Sequence, residues 1–434
     1  MIKKIILKLK SKKFSVCVIG LGYVGLPLVS RFIKSKINVY GIDIDKTKIN
    51  DLRSGNSYIK SLDKSISKYF KKNKFNLSTN YNLVKKCDVI IICLPTPLKK
   101  NSHNPDMSYI FNCAKNLKKN IKKNQIIILE STVYPGATRV FAKKIINEKF
   151  EIGKNLFIGY SPERENPGDN KFSYSKTPKV ISGYSNNCLN LIKLIYKNFV
   201  TRIISANKIE EAELSKLVEN LYRAINIGLV NELKMICQKL NIDILNTINI
   251  ASTKNFGFQK FLPGPGLGGH CIPIDPFYLS WISEKKGYDP KFIKLAGLIN
   301  SKIPNWTFKQ IIKHFKNKKN LKILLLGLAY KKNIDDDRES PTYEFMKILK
   351  KNNIFFDYSD PYFKKTRQGR QTKENKKSIK ITKNNLLKYN AVVLLTDHDS
   401  FDYKLIARYS KFIFDTRGKY KSVKLKNYKN IIFC

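Results

Sequence analysis

The sequence is short of acid, short of arginine and has no long apolar run. Asp and Glu total 33 against 82 Lys and Arg, a formal net charge of +49 over 434 residues. Such a surplus would ordinarily point to a polyanion. Only 11 of the cations are Arg, however, and the Lys are spread from end to end. Proteins that read nucleic acid rely on Arg forks gathered on one face. The pattern therefore argues against a specific nucleic-acid partner and leaves weak, salt-sensitive attraction to polyanions. No apolar stretch approaches the roughly 20 residues that cross a bilayer, so no membrane association is expected. The start, MIKKIILKLKSKKFSVCVIG, is basic and then apolar, as in a signal peptide. It lacks a small-x-small cleavage site, and its apolar part reads as a first strand; the chain is expected to be soluble and cytoplasmic. The eight cysteines form no CxxC and no Cys/His metal spacing, so no metal site is expected and most read as small buried hydrophobes.

What is present is ordinary globular chemistry. Hydrophobic residues make up 42%, which excludes disordered and fibrous classes, and the length predicts two or three domains. The first two hundred residues alternate short apolar runs (SVCVIGLG, NVYGIDID, DVIIICLP, QIIILEST, NLFIGYSP, KVISGYS) with amphipathic, Lys-rich stretches. That alternation is the signature of a parallel sheet covered on both faces. Residues 207–240 have helical periodicity, no Pro and one Gly, and predict one long helix. Strand-like runs resume at KILLLGLAY, IFFDYSD, AVVLLTDHD and KFIFDTRG, while 364–385 reads as an exposed loop; no internal repeat is evident. The expected fold is α/β: two doubly wound, Rossmann-like domains joined by a central helical segment. The expected boundaries are 1–206, 207–305 and 306–434.

Gly20-Leu21-Gly22-Tyr23-Val24-Gly25 follows one predicted strand and opens a helix. Its glycines serve the tight turn, the approach of backbone to a pyrophosphate, and helix–strand packing. Asp43 ends the next predicted strand, where a ribose 2′-hydroxyl would be held. An acid there repels a 2′-phosphate, so NAD is favoured over NADP. Thr96 and Thr132 fall at the ends of later strands, on the edge where a doubly wound sheet binds its ligand.

The most unusual segment is Pro263-Gly264-Pro265-Gly266-Leu267-Gly268-Gly269-His270-Cys271. Its glycines would let backbone amides approach a ligand, and its cysteine precedes a predicted helix start that favours thiolate. Asp275 reads as the cap of that helix, with Pro276 first inside it, and is also able to accept a proton. His270 reads as structural. Lys216, Asn220 and Arg223 stand at i, i+4 and i+7 of the long helix, in one stripe. Because the chain writes Lys nearly everywhere, the retained Arg164, Arg223, Arg338 and Arg417 mark places where a planar fork is wanted. NAD beside a thiol points to oxidation past the aldehyde: hydride loss, thiol addition, a second hydride loss to a thioester, and hydrolysis. A Lys suits the oxyanion and a carboxylate suits the water.

GLGYVGLPL, STVYPGAT, SPERENPGD, ELSKLVENLYRAINI, PGPGLGGHCIPIDPFYL, GLAYKKNIDDDRESP and DTRG together resemble the UDP-glucose/GDP-mannose dehydrogenase family over essentially the whole chain. Within it the loop before Cys271 is most similar to UDP-N-acetylglucosamine 6-dehydrogenases of surface-polysaccharide synthesis. The resemblance implies Cys271 as nucleophile, Lys216 and Asp275 handling oxyanion and water, and Asn220, Thr132 and Glu163 supporting them. It implies NAD contacts at Gly20, Gly22, Tyr23, Val24, Gly25, Asp43, Thr96, Thr132 and Arg338. Around the nucleotide sugar it implies Glu163, Arg164, Glu165, Lys216, Asn220, Arg223, Leu262, Gly268, Lys331 and Arg417. It further implies a UDP-sugar substrate and a homodimer, or a larger homo-oligomer, built along the central helices. The expected reaction is four-electron oxidation of a UDP-hexose at C6. UDP-N-acetylglucosamine is the first choice of substrate; UDP-glucose, UDP-N-acetylmannosamine and UDP-N-acetylgalactosamine are the alternatives. A two-electron hydroxyacid or sugar-phosphate dehydrogenase, with no use for the thiol, is the competing chemistry.

Overall fold

The computed structural model describes residues 1–59, 75–100, 102–164, 177–269, 272–315, 320–367, 375–423 and 429–434. The chain divides into two compact units, 1–219 with 277–288, and 220–276 with 289–434.

Unit 1 carries eight strands: β1 (Ser15–Ile19), β2 (Asn38–Ile42), β3 (Asn76–Ser78), β4 (Val89–Ile92), β5 (Ile126–Leu129), β6 (Phe157–Tyr160), β7 (Lys179–Gly183) and β8 (Ile203–Ser205). Their order is β3-β2-β1-β4-β5-β6-β7-β8. Every pair is parallel except β6 with β7. The runs VIII and IIIL of β4 and β5 are buried at every position because helices cover both faces. The strand order reverses between β1 and β4, which opens a crevice at their carboxyl ends. An N-terminal helix, Ile2–Lys10, precedes β1. Its Ile2, Ile5, Ile6 and Leu9, at helical spacing, pack into the sheet's core.

Unit 2 carries a second sheet of β9 (Lys322–Leu326), β10 (Phe355–Ser359), β11 (Ala391–Leu394), β12 (Ile413–Asp415) and β13 (Ile431–Phe433), in the order β10-β9-β11-β12-β13 and wholly parallel. The long helix is observed at Ile209–Lys239, and helix Lys291–Phe315 lies along its second half. The two helices approach closely at Gly228, where a side chain would press on Asn300 and Ala296. Asn300 donates to the Ala224 and Ala296 carbonyls and accepts from Asn231, so the small-residue seam is locked by amides.

One expectation is corrected here. Part of 364–385 is paired backbone rather than open loop: the Thr366 amide donates to Lys376 O, the Ser378 amide to Lys364 O, and Thr366 is buried. The segment has almost no apolar residues because lysine does the packing. The Lys376 ammonium lies 4.5 Å from the Phe356 ring and donates to that residue's carbonyl.

Candidate active site

The turn after β1 is built for a phosphate-bearing ligand. Gly20 has φ +91°, and a Cβ there would lie 2.5 Å from the Cys93 carbonyl oxygen; one on Gly25 would lie 1.9 Å from Gly20 O. Gly22 differs, since a Cβ there would meet nothing within 4 Å. Gly20 and Gly25 are thus demanded by the protein's own packing, while Gly22 leaves space for something else. Val24 caps helix Gly25–Lys34 without a side-chain hydrogen bond and no acid stands in its first turn, where the Leu26 amide donates to Gly22 O and Pro27 has none, so the positive end of the helix faces the turn. Tyr23 packs beside the core at the same turn. Asp43, at the end of β2, accepts from the Leu21 amide at 2.9 Å and the Asp45 amide at 3.0 Å, with Lys48 3.6 Å away. These residues fit an adenine dinucleotide: open glycine, uncapped helix start and an oriented ribose acid. Buried Thr96, in the loop that leaves β4, offers its carbonyl to the Tyr278 hydroxyl at 2.9 Å.

Unit 2 repeats this turn. Gly327-Leu328-Ala329-Tyr330 follows β9 as Gly20-Leu21-Gly22-Tyr23 follows β1, and Gly327 has φ +93°. Asp360, after β10, accepts from the Leu328 amide as Asp43 does from Leu21. Asp360 is fully engaged by the Ala329, Tyr362 and Phe363 amides and by His398 Nε2 at 3.1 Å. The second turn therefore holds itself together and keeps no acid for a ribose.

Thr132 lies in the loop that leaves β5. The loop's first residue, Glu130, is buried and paired with Lys179 Nζ at 3.1 Å and with the Tyr196 hydroxyl. Lys179 also donates to Pro162 O, which fixes the backbone just before Glu163. Arg164 bridges Glu219 of the long helix at 2.7 Å and the Pro178 carbonyl. At the loop's far end Glu213, wholly buried, accepts the Gly136 and Thr138 amides at 2.5 and 2.8 Å. Burial pushes its carboxyl up to about 7. Neither Glu130–Lys179 nor Glu213 was legible in the sequence, because their partners stand 49 and more positions away.

On the long helix Lys216 and Asn220 are buried one turn apart, whereas Arg223 is exposed. All three stand on the one helix at the expected spacing, and the stripe runs from a buried end at Lys216 to an exposed one at Arg223. Asn220 Nδ2 donates to Asp275 Oδ2 at 2.5 Å, and Asp275, buried, is the first residue of helix Asp275–Lys285 rather than its cap. Cys271 and Glu165 lie outside the described residues. The seven described cysteines are all free and buried. Burial pushes the thiols of Cys17 and Cys93 well up, and those of Cys113 and Cys434 to about 12, which disqualifies them as thiolates near neutral pH.

The glycine-rich loop is shaped by packing. A Cβ on Gly268 would lie 2.6 Å from Tyr330 Cβ, and one on Gly264 3.0 Å from Arg417 Nη1. The Gly264 amide donates to Asn231 and the Gly269 amide to Arg338 O. Arg417 donates from Nε to Leu395 O and lines a cavity of about 390 Å³ with Lys234, Trp306 and Gly418. Arg338 is clamped by Asp336, with contacts of 2.6–3.1 Å, so one acid of the DDD run neutralises it. Lys331 is half-buried after the second turn, and Leu262 is half-exposed. Among the described residues no group of His, Cys, Asp and Glu is arranged to hold a metal ion. No described helix is long and apolar enough to cross a membrane.

Comparison with known proteins identifies the family and its domains. Residues 14–200 match the NAD binding domain of the UDP-glucose/GDP-mannose dehydrogenase family, 210–302 its central domain and 324–422 its UDP binding domain. The chain is 35% identical over 361 residues to a Pseudomonas aeruginosa UDP-N-acetyl-D-glucosamine 6-dehydrogenase, covering 81% of this chain and 83% of the relative. It is 32% identical over 399 residues to a Methanococcus vannielii UDP-N-acetyl-D-mannosamine dehydrogenase, covering 90% and 88%. The solved UDP-D-ManNAc dehydrogenase of Pyrococcus horikoshii superposes with a TM-score of 0.83 at 28% identity, covering 96% and 98%.

Proposed function

Since the chain belongs to the UDP-glucose/GDP-mannose dehydrogenase family, and is thus an NAD-dependent nucleotide-sugar dehydrogenase, we propose that it oxidises UDP-N-acetylglucosamine at C6 to the uronate through a thioester on Cys271. The Gly20–Gly25 turn, with Asp43 toward the ribose, would hold NAD, and two NAD bound in succession would each accept one hydride. The Lys216 ammonium steadies the alkoxide of the alcohol and then the oxyanions that follow. Cys271 thiolate adds to the aldehyde carbon to give a thiohemiacetal, whose oxidation leaves a thioester. Asp275 takes a proton from the water that cleaves this thioester, and the thiolate is released.

The observation that carries this reading is the Asn220–Asp275 hydrogen bond. It fixes a buried carboxylate four residues after the cysteine, with a buried lysine one turn away from Asn220 on the same helix. A two-electron dehydrogenase would share the lysine but would have no use for a thiol four residues before that carboxylate. The sugar rests on the 35% identity to the glucosamine enzyme. The C2 epimer, UDP-N-acetylmannosamine, is the second reading, favoured by the likeness to the Pyrococcus horikoshii structure.

We also place a homodimer on the central helices. Tyr222, Leu229 and Ile236 recur every seven residues on the long helix and are about half exposed, as are Leu295 and Leu298 on helix Lys291–Phe315.

The test is NADH formed per sugar, run to completion with both N-acetylhexosamines, UDP-glucose and UDP-N-acetylgalactosamine. Two NADH per UDP-N-acetylglucosamine, abolished in Cys271→Ala, is the expected result. Two per sugar with another compound alone would correct the substrate, and one per sugar would overturn the thioester route.

A further inference from the structure

Helix Ala137–Ile145 begins at Gly136, which has a left-handed backbone and no side chain with which to cap it. The missing cap comes from another element. Glu213 of the long helix accepts the Gly136 amide on Oε2 and the Thr138 amide on Oε1. A second strut, Arg139 to Glu210, lies one turn nearer the start of the same helix. Glu213 stands three residues before Lys216, and Gly136 four residues after Thr132. The other end of the Thr132 loop is fixed by the Glu130 amide, which donates to Ile92 O in β4. With both ends held, the carboxylate nearest Lys216 in this tie is that of Glu213, whose two oxygens each serve one amide at the loop's end.

We infer that Glu213 is a positioning residue: its carboxylate ties the Thr132 loop to the helix that carries Lys216 and so sets the distance between the two groups. The inference rests on the reading that Thr132 and Lys216 serve the oxidation. Glutamine cannot replace the tie, because one of its two terminal atoms is a donor and would face an amide N–H. Aspartate keeps both acceptors but shortens the arm by one methylene, so it restores the chemistry at the wrong distance. Neither change touches substrate or cofactor.

The experiment compares Glu213→Gln and Glu213→Asp with wild type in kcat, in KM for NAD and the UDP-sugar, and in Tm. Ile145→Val, a cavity at the far end of the capped helix, serves as a stability control. A displaced catalytic group loses rate far more than affinity, so kcat should fall roughly 10- to 100-fold in both Glu213 variants. Both KM values should stay within about threefold, and Ile145→Val should keep its kcat at a comparable loss of Tm. If Glu213→Gln does not fold, Glu213→Asp is read against the same limits. Wild-type kcat in the folded Glu213 variants, or an equal kcat loss in Ile145→Val, overturns the tie. Lys216→Ala separates the failures: if it is inactive while the Glu213 variants are active, only the tie falls. If Lys216→Ala turns over normally, the reading beneath the tie falls.

Discussion

Lys179 and Glu130 show how much of the site is held by groups that meet no ligand. Their side chains are 4% and 1% exposed, and the pair stands under both the Thr132 loop and the backbone that leads to Glu163. A buried pair is poor at raising stability, but removing one partner strands the other charge without solvent. Lys179→Met should therefore lower the unfolding free energy by about 3–5 kcal/mol in denaturant titration. Adding Glu130→Gln should recover more than half of that loss, because the stranded charge is gone. If Lys179→Met alone is silent, the pair does not anchor the site. At Arg164 the retained arginine has a structural use. The fork is used, but on Glu219 and the Pro178 carbonyl, as a brace between a loop and the long helix. The placement of Lys216 and Asn220 on one helix, and of Asp275 at a helix start, was legible because helical spacing and helix starts are local properties. Glu130, Lys179 and Glu213 were not, because a buried charge is recognised only by its partner across the fold.

Among the elements, the runs of four or more branched apolar residues announced the sheets, since strands buried on both faces admit little else. Three-residue strands such as β3, β8 and β13 are too short to show a pattern. The second Gly-Leu-x-Tyr turn escaped notice because only three identities carry it. Ala329 stands where the first turn has Gly22, and what the two turns share is the acid after the next strand. That difference is testable in the first turn. A side chain at Gly22 meets no protein atom, so Gly22→Ala should leave Tm unchanged and raise KM for NAD about tenfold or more by blocking the approach of a pyrophosphate. A side chain at Gly25 collides with the Gly20 carbonyl, so Gly25→Ala should lower stability by about 1–3 kcal/mol as the helix shifts. Equal effects on Tm from the two would mean that the space at Gly22 is not a ligand's.

At the scale of the whole molecule, charge and apolar surface oppose one another. A net charge of +49 pushes copies apart and keeps the chain dispersed, with repulsion that salt screens. Against it stands the apolar face of the central helices, where Tyr222, Leu229 and Ile236 are each about half exposed at seven-residue intervals. Long apolar side chains repeated along one stripe of a helix bury efficiently against a second helix, at about 25 cal/mol for each Å² removed from water. The repulsion is diffuse and falls with ionic strength, while the apolar burial is local and does not. Association should therefore strengthen as salt is raised, the reverse of binding to a polyanion. Leu229→Asp with Ile236→Asp should shift sedimentation from dimer or larger to monomer, leaving the folded content by circular dichroism intact, since neither residue is buried in the chain itself. A wild-type chain that sediments as a monomer at micromolar concentration in 0.15 M salt would remove the central helices as an interface. A double variant that stays dimeric would move the interface to another face.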